Sequence, residues 1–126
     1  MFELTINGEV YQFKFGLGFA REINKTRKIA GENGEKQDAG LQFAVASIMD
    51  EDIIALVDIL DLANKTEKPR VSRQLLDNYL EDESTDIAGL FKDLLDFFEN
   101  NNSTKKAVEN VKKILEAQKE KAEKGE

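Results

Sequence analysis

The stretch from Phe2 to Phe15 reads FELTINGEVYQFKF, and this pattern predicts a β-hairpin. Two runs of alternating apolar residues flank the pair Asn7-Gly8. Asn-Gly is the strongest short-range signal for a two-residue type I′ turn, because both turn residues need a positive φ. No other part of the sequence carries a comparable β signal, so this segment decides the strand content of the predicted fold.

With the Asn-Gly pair as the loop, the predicted register places Phe2 opposite Phe13 and Leu4 opposite Tyr11. The apolar face of the hairpin comprises Phe2, Leu4, Ile6, Tyr11, Phe13 and Phe15. A lone hairpin is only marginally stable in water. We therefore expect this face to pack against the helices that follow.

The remainder of the sequence predicts helices, because apolar residues recur at spacings of three and four. The predicted helices cover about residues 17–28, 41–49, 53–63, 72–81, 85–99 and 103–115. The predicted N-caps are Asp50 for the third helix, Ser72 for the fourth, Ser84 or Thr85 for the fifth and Ser103 for the sixth. Residues 29–38 contain Gly31 and Gly34 among charged residues, which is typical of a mobile loop.

These elements predict an α+β fold that is predominantly α, with a two-stranded N-terminal hairpin (about residues 2–15) packed on a bundle of five to six helices. At 126 residues the chain is long enough for one domain with a substantial core. We expect that domain to cover residues 1–115. The polar end, residues 116–126, is expected to fray or to be disordered.

The composition excludes several classes of chemistry. The chain has no cysteine and no histidine, which removes disulfide frameworks, thiolate nucleophiles, serine–histidine triads and the usual zinc ligand sets. The sequence therefore predicts no enzyme, no cofactor and no metal site. No apolar run approaches the ~20 residues of a membrane span, and no signal peptide precedes the hairpin. We expect no membrane association, and the lack of cysteine suits a cytosolic protein.

Charge is distributed unevenly along the chain, whose net charge is −7. Residues 50–99 hold fourteen acidic and five basic residues. Such an acidic body argues against nucleic-acid binding, which needs a basic footprint, and indicates a solubilising surface. The acidic clusters at residues 50–52 and 81–86 lack the alternating ligands and the turn glycine of a calcium loop. We interpret them as helix caps and solvated surface.

Two predicted helices carry candidate partner-binding residues. The third helix is apolar over well over half of its circumference, whereas one core face needs a stripe of roughly 100° or somewhat more. It is either central in the bundle, the preferred interpretation, or presents a face to a partner. The Phe and Leu stripe of the fifth helix is likewise either core, again preferred, or partner surface. The candidate residues are Ile54, Val57, Phe91, Phe97 and Phe98.

A short apolar pattern marks the last predicted helix. Val108, Val111 and Leu115 repeat at spacings of three and four, over less than two heptads. The pattern is too short to establish a coiled coil. Self-association of the protein through this helix stays open as an alternative. The lysines around this pattern alternate with glutamates, which indicates a solvated helix face.

The order of these elements resembles that of the tail assembly chaperones of long-tailed bacteriophages and prophages of Gram-positive bacteria. The matching segments are the opening hairpin, the helix with Phe19–Asn24, the Gly-rich loop into Gly40-Leu41, the apolar helix pair, and Lys68–Ser72 before Leu75–Leu80. They cover about residues 1–115. The order and spacing of the segments carry the resemblance, because no single motif among them is diagnostic.

The resemblance implies a non-enzymatic assembly factor in the cytoplasm of the host bacterium. Its partners would be the long, largely helical tape measure protein, which it keeps soluble, and the major tail tube protein, whose assembly it assists. It would be absent from the finished virion. The family often adds a longer C-terminal extension by ribosomal frameshifting, and residues 116–126 would suit that junction.

Two alternatives remain. A structural minor tail or neck protein is the closer one, and mass spectrometry of purified particles separates it from a chaperone. A nucleic-acid-binding regulator is more distant, and salt-dependent retention on DNA would identify it.

Overall fold

The structure of the protein, a computed structural model, describes residues 1–123 and opens with the expected hairpin. Strands β1 (Phe2–Ile6) and β2 (Glu9–Phe13) pair in antiparallel fashion. The register is the predicted one, with the pairs Phe2–Phe13, Glu3–Gln12, Leu4–Tyr11, Thr5–Val10 and Ile6–Glu9. Asn7 and Gly8 have φ values of 53° and 81°, as a type I′ turn requires.

Six helices and a second, smaller hairpin follow within residues 1–123. The helices are α1 (Leu17–Asn24), α2 (Gly40–Met49), α3 (Ile53–Asn64), α4 (Arg73–Glu81), α5 (Ile87–Asn100) and α6 (Lys105–Glu123). Strands β3 (Lys28–Ala30) and β4 (Lys36–Asp38) pair with each other between α1 and α2. The predicted class, α+β with mostly helix, is confirmed. None of these helices is both long and apolar enough to cross a membrane.

The expectation that residues 29–38 form a loop is wrong. Strands β3 and β4 have three residues each, and all six side chains are exposed. Their pairing uses backbone hydrogen bonds and an ion pair between Lys28 and Asp38, and Gly34 supplies a positive φ of 79° at the tip. Apolar alternation marks strands with one buried face. A hairpin with neither face buried carries no such signal.

Helix α1 ends at Asn24, four residues before the predicted end at Lys28. The Thr26 hydroxyl donates a hydrogen bond of 2.6 Å to the Ile23 carbonyl. The same carbonyl packs so closely on Gly40 that a Cβ at that glycine would overlap its oxygen. The helix therefore stops where a side chain and the start of α2 occupy its carbonyl end.

The predicted N-cap is confirmed for α4 and wrong for α3. The Ser72 hydroxyl accepts a hydrogen bond from the Leu75 N–H at 3.1 Å. Helix α3 is capped by Asp52 rather than by Asp50. Asp50 belongs to the end of α2, and Glu51 has the positive φ of 54° that separates the two helices. Asp50 and Glu51 thus end α2, and Asp52 is the first residue free to cap α3.

The predicted N-cap of α5 is also wrong. Asp86 caps this helix, and its carboxylate accepts a backbone N–H of the first turn at 3.0 Å. Ser84 instead donates to the Asp82 carboxylate at 2.7 Å, and Thr85 donates to the Tyr79 carbonyl at 2.6 Å. Both hydroxyls therefore serve the end of α4.

Helix α6 runs through Glu123, beyond the predicted end of the ordered domain. Ser103, the predicted cap, lies in the turn before the helix, where the buried Thr104 donates a hydrogen bond of 2.8 Å to a carbonyl at the end of α5. Residues 112–123 are exposed. The segment that was expected to fray is an exposed helix as far as Glu123, and residues 124–126 lie outside the described part.

Helix α2 lies at the centre of the bundle, because it contacts α1, α3, α5 and α6. Its Val45 and Ile48 are buried. Helix α3 packs on α1, α2, α4 and β2, and Leu56, Ile59 and Leu60 face the core. The first turn of α3 is exposed. The later turns of α3 are therefore central in the bundle, whereas its first turn leaves apolar side chains open to a partner.

Aromatic rings join the N-terminal hairpin to the helices. The Phe15 ring lies 4.9 Å from the rings of both Phe19 and Phe98, measured between centroids. It also contacts Phe2 at 6.2 Å and Phe97 at 5.9 Å. Such pairs contribute about 0.5–1.5 kcal/mol each beyond the burial of their surface. The expectation that the apolar face of the hairpin packs on the helices is confirmed.

Candidate partner-binding surface

An apolar groove lies between α3 and α4. Ile54 in the first turn of α3 is 79% exposed, the largest value for a big apolar side chain among residues 1–123. Ile53 beside it is 40% exposed, and Val57 is half-buried. These three residues and Leu80 supply the apolar lining of a groove of about 330 Å³. Two of the five candidate residues, Ile54 and Val57, therefore share this α3–α4 groove.

The sequence of α3 explains why the groove exists. Leu56, Ile59 and Leu60 cover the core side of the helix. Its apolar arc is wider than one core contact requires, so Ile54 and Val57 lie on the remaining part. Because these two residues are three positions apart, their side chains are neighbours on one helix face. They form a short apolar ridge along the groove.

The rim of the α3–α4 groove is acidic. It consists of Asp58 on α3 and of Asp77 and Glu81 on α4, together with Arg73. Arg73 donates hydrogen bonds to Asp58 and Asp61, and these bonds raise the pKa of its guanidinium. Within residues 1–123, no lysine or arginine forms an ion pair with Asp77 or Glu81. The rim therefore keeps negative charge that the described chain does not neutralise.

Further exposed carboxylates lie where α3 begins and where α4 ends. Glu51 and Asp52 directly precede α3, and Asp82 and Glu83 directly follow α4. The Ser84 hydroxyl donates to Asp82 at 2.7 Å and its N–H donates at 2.8 Å. These hydrogen bonds, the one from the hydroxyl first, lower the pKa of Asp82. This carboxylate therefore stays ionised to more acidic pH than an unperturbed aspartate.

None of the three aromatic candidates lines the groove: Phe91 and Phe98 lie in the core, and Phe97 packs against it. Phe91 and Phe98 are only 2% and 0% exposed. Phe97 is partly buried, and its ring centroid lies 5.8 Å from that of Phe2 and 5.9 Å from that of Phe15. Buried rings offer no contact area to a partner in this conformation. The Phe and Leu stripe of α5 therefore packs in or against the core, which was the preferred of its two interpretations.

Sequence reasoning missed the α4 side of the groove. Leu80 is only 5% exposed, and Glu81 was interpreted as solvated surface. Asp77 carries no motif of its own. The available signal was the spacing of four between Asp77 and Glu81, which places both carboxylates on one face of the helix.

A second groove lies between α2 and α6 and measures about 350 Å³. Its apolar lining comprises Phe43, Ala46, Met49 and Leu115. Phe43 is 42% exposed, and the guanidinium carbon of Arg27 lies 5.0 Å from its ring centroid. A third groove, of about 370 Å³, shares Phe43 with this one and Asp58 with the α3–α4 groove. The three grooves therefore adjoin across the helices.

The α3–α4 groove has the arrangement by which proteins bind amphipathic helices. In such sites an apolar lining contacts the apolar stripe of the helix, and a charged rim contacts its polar flanks. Among residues 1–123, no group of three or more acidic side chains is placed to hold a metal ion.

Comparisons with known proteins give one match. Residues 3–113 match the family described as phage tail assembly chaperone protein, TAC. Comparison with curated proteins finds no match, and comparison with solved structures finds none either. The matched region includes the hairpin from Glu3 onward and both helices that line the α3–α4 groove. The chain therefore belongs to the phage tail assembly chaperones, which are non-enzymatic assembly proteins.

Proposed function

We propose that this chaperone binds the tape measure protein of its own phage, keeps it soluble and helps the tail tube protein to assemble around it. A tail assembly chaperone has to bind a tail protein. A long helical protein without its tube exposes apolar stripes. The observation that supports the proposal is the apolar groove beside Ile54, which is 79% exposed.

The groove supplies the attraction, and the rest of the chain supplies solubility. Contact with Ile54 and Val57 removes apolar surface of both partners from water, and full burial of one such side chain contributes about 1.5–3 kcal/mol. The net charge of −7 carried by each bound copy keeps the complex dispersed. A long tape measure protein offers room for many copies along its length.

The proposal predicts that Ile54→Gln weakens the chaperone without unfolding it. Glutamine is a good helix former, and the lost side chain is exposed, so the domain remains folded. The tape measure protein of the same phage or prophage is co-expressed with the wild-type chain or with the variant. Its soluble fraction is measured after centrifugation. We expect a high soluble fraction with the wild type and a markedly lower one with Ile54→Gln.

Leu17→Gln is the matched control. Leu17 is 61% exposed and lies in the first turn of α1, as Ile54 lies in the first turn of α3. This control should keep the tape measure protein as soluble as the wild type does. A tape measure protein that is equally insoluble with and without the wild-type chain contradicts the proposed function.

The proposal includes release of the chaperone before the virion is complete, within the cytoplasm of the host. Mass spectrometry of purified particles should then detect the tape measure and tube proteins and lack this chain. A stoichiometric amount of the chain in the particles would instead identify a structural minor tail or neck protein.

A further inference from the structure

We infer that the α3–α4 groove selects an amphipathic partner helix whose apolar stripe is bordered by lysine or arginine side chains. The inference rests on the proposed function and adds the chemistry by which a segment of the tape measure protein is chosen. Three features favour such a helix: the shape of the groove, the rim carboxylates that have no ion-pair partner within residues 1–123, and the end of α4.

The shape of the groove fits a short stretch of helix. Ile54 and Val57 form one wall, and Leu80 lies on the other, in the last turn of α4. Helix α4 has nine residues, which corresponds to roughly 13 Å at the rise of an α-helix. About two to three turns of a partner helix span this length, with anchors near positions i, i+3 or i+4 and i+7.

Both walls are helices, and this favours a helical occupant over an extended one. An extended peptide needs an open strand edge to pair its backbone groups. Helices α3 and α4 offer none, because their backbone groups are bonded within each helix. A partner helix brings its own backbone hydrogen bonds already made. Only side chains then have to fit the groove.

The charges of the rim determine which side chains are favoured beside the apolar stripe of the partner helix. Arg73, the cation of the rim, is held by Asp58 and Asp61. Asp77 and Glu81 have no ion-pair partner among residues 1–123. A lysine or arginine beside the apolar stripe of the partner would meet these carboxylates, whereas a glutamate there would be repelled.

The end of α4 strengthens this preference. Glu81 is the last residue of the helix, and Asp82 and Glu83 follow it. The C-terminus of a helix carries partial negative charge, which is complemented by cations and not by acids. This end of α4 therefore combines three carboxylates with an unfavourable dipole. A cation on the partner helix relieves that repulsion when it binds.

The test uses the full chain and two synthetic helical peptides of about five turns. Both peptides carry leucine at positions i, i+3, i+4 and i+7, and they differ only in having lysine or glutamate beside this stripe. Affinities are measured by isothermal titration calorimetry at low and high salt. We expect the lysine peptide to bind at least about tenfold more tightly at low salt, and the difference to shrink as salt screens the rim.

Two matched charge reversals locate the effect. Asp77→Lys/Glu81→Lys changes the rim, whereas Glu116→Lys/Glu120→Lys makes the same change of net charge on the exposed part of α6. Both pairs are four residues apart on a helix. The rim variant should lose the preference for the lysine peptide or reverse it, and the α6 variant should keep it.

Some outcomes would overturn the inference. These are equal affinity for the two peptides, no binding of either, or the same effect of both charge reversals. The proposed function has its own readout in the solubility of the tape measure protein. If Ile54→Gln lowers that solubility while the peptides show no charge preference, the function stands and the selection by flanking charge fails.

Discussion

At the scale of single residues, Asn64 joins the hairpin to the segment between α3 and α4. Its side chain is completely buried. The amide nitrogen donates to the Gln12 carbonyl at 2.9 Å and to the Pro69 carbonyl at 3.2 Å, and the amide oxygen accepts the Val71 N–H at 2.7 Å. Loss of this side chain leaves the buried Val71 N–H without its partner, and an unsatisfied buried donor destabilises the fold. The Gln12 and Pro69 carbonyls belong to exposed residues, which water can reach.

We predict that Asn64→Ala lowers the free energy of unfolding by about 1–3 kcal/mol, because this is the cost of a buried donor or acceptor left unsatisfied. Urea unfolding followed by circular dichroism measures the change. Asn78→Ala is the control, since Asn78 is exposed and its side chain accepts only from Gln74 among residues 1–123. Its effect should stay within about 0.5 kcal/mol. Equal effects of the two variants would show that water replaces the lost partners of Asn64.

The role of Asn64 could not be predicted from the sequence. An asparagine at the end of an apolar helix predicts a local turn or cap. One of its partners lies 52 positions earlier in the chain, and only the packing of the hairpin on α3 brings the two together. The apolar exposure of Ile54 is a similar case, because the apolar arc of α3 indicated a spare face without indicating which residues would form it.

At the scale of elements, the contact between α1 and α2 depends on Gly40. A side chain at this position would overlap the backbone carbonyl of Ile23, and the Thr26 hydroxyl lies next to it. Gly18 within α1 has no heavy atom within 4 Å of the place where its Cβ would lie. The two glycines therefore differ in tertiary surroundings although both belong to helices.

We predict opposite effects for alanine at these two positions. Gly40→Ala should lower the free energy of unfolding by about 1–3 kcal/mol or more, because backbone has to move away from the new methyl group. Gly18→Ala should leave stability unchanged or raise it by about 0.4–1 kcal/mol, since alanine restricts the unfolded chain. Thermal unfolding of both variants checks this. A neutral Gly40→Ala would mean that α1 and α2 do not pack as closely as described.

Local sequence signals were sufficient to predict some features of these elements and not others. The Asn-Gly turn determined the register of β1 and β2, and the alternating apolar residues determined the face that packs. The N-cap of α4 was predictable because Ser72 has no competing role. The caps of α3 and α5 were not, because Asp50 is used by the preceding helix and Ser84 by the preceding turn.

At the scale of the whole molecule, the hairpin and the helices share one core. Phe15 contacts rings of the hairpin, α1 and α5. We predict that Phe15→Ala lowers the free energy of unfolding by about 3–5 kcal/mol. Because the core is shared, hydrogen exchange should rise in α5 as well as in the hairpin. Hydrogen exchange with mass spectrometry, together with urea unfolding, measures both effects.

Phe43→Ala is the control for this prediction. Phe43 is 42% exposed and contacts the Arg27 guanidinium, so its loss should change stability by about 1 kcal/mol or less. If Phe15→Ala raised exchange in the hairpin alone, the hairpin would be an independent appendage and not part of the common core.

The sequence by itself determined the N-terminal hairpin and its register, the succession of five to six helices, the acidic character of the surface and the order of elements that carries the family resemblance. These properties follow from turn chemistry, apolar spacing and composition, which are local. Only the tertiary structure decided which apolar stripe stays open. Ile54 and Val57 line a groove while Phe91 and Phe98 are buried. Both stripes have helical spacing, and burial depends on which element packs against each of them.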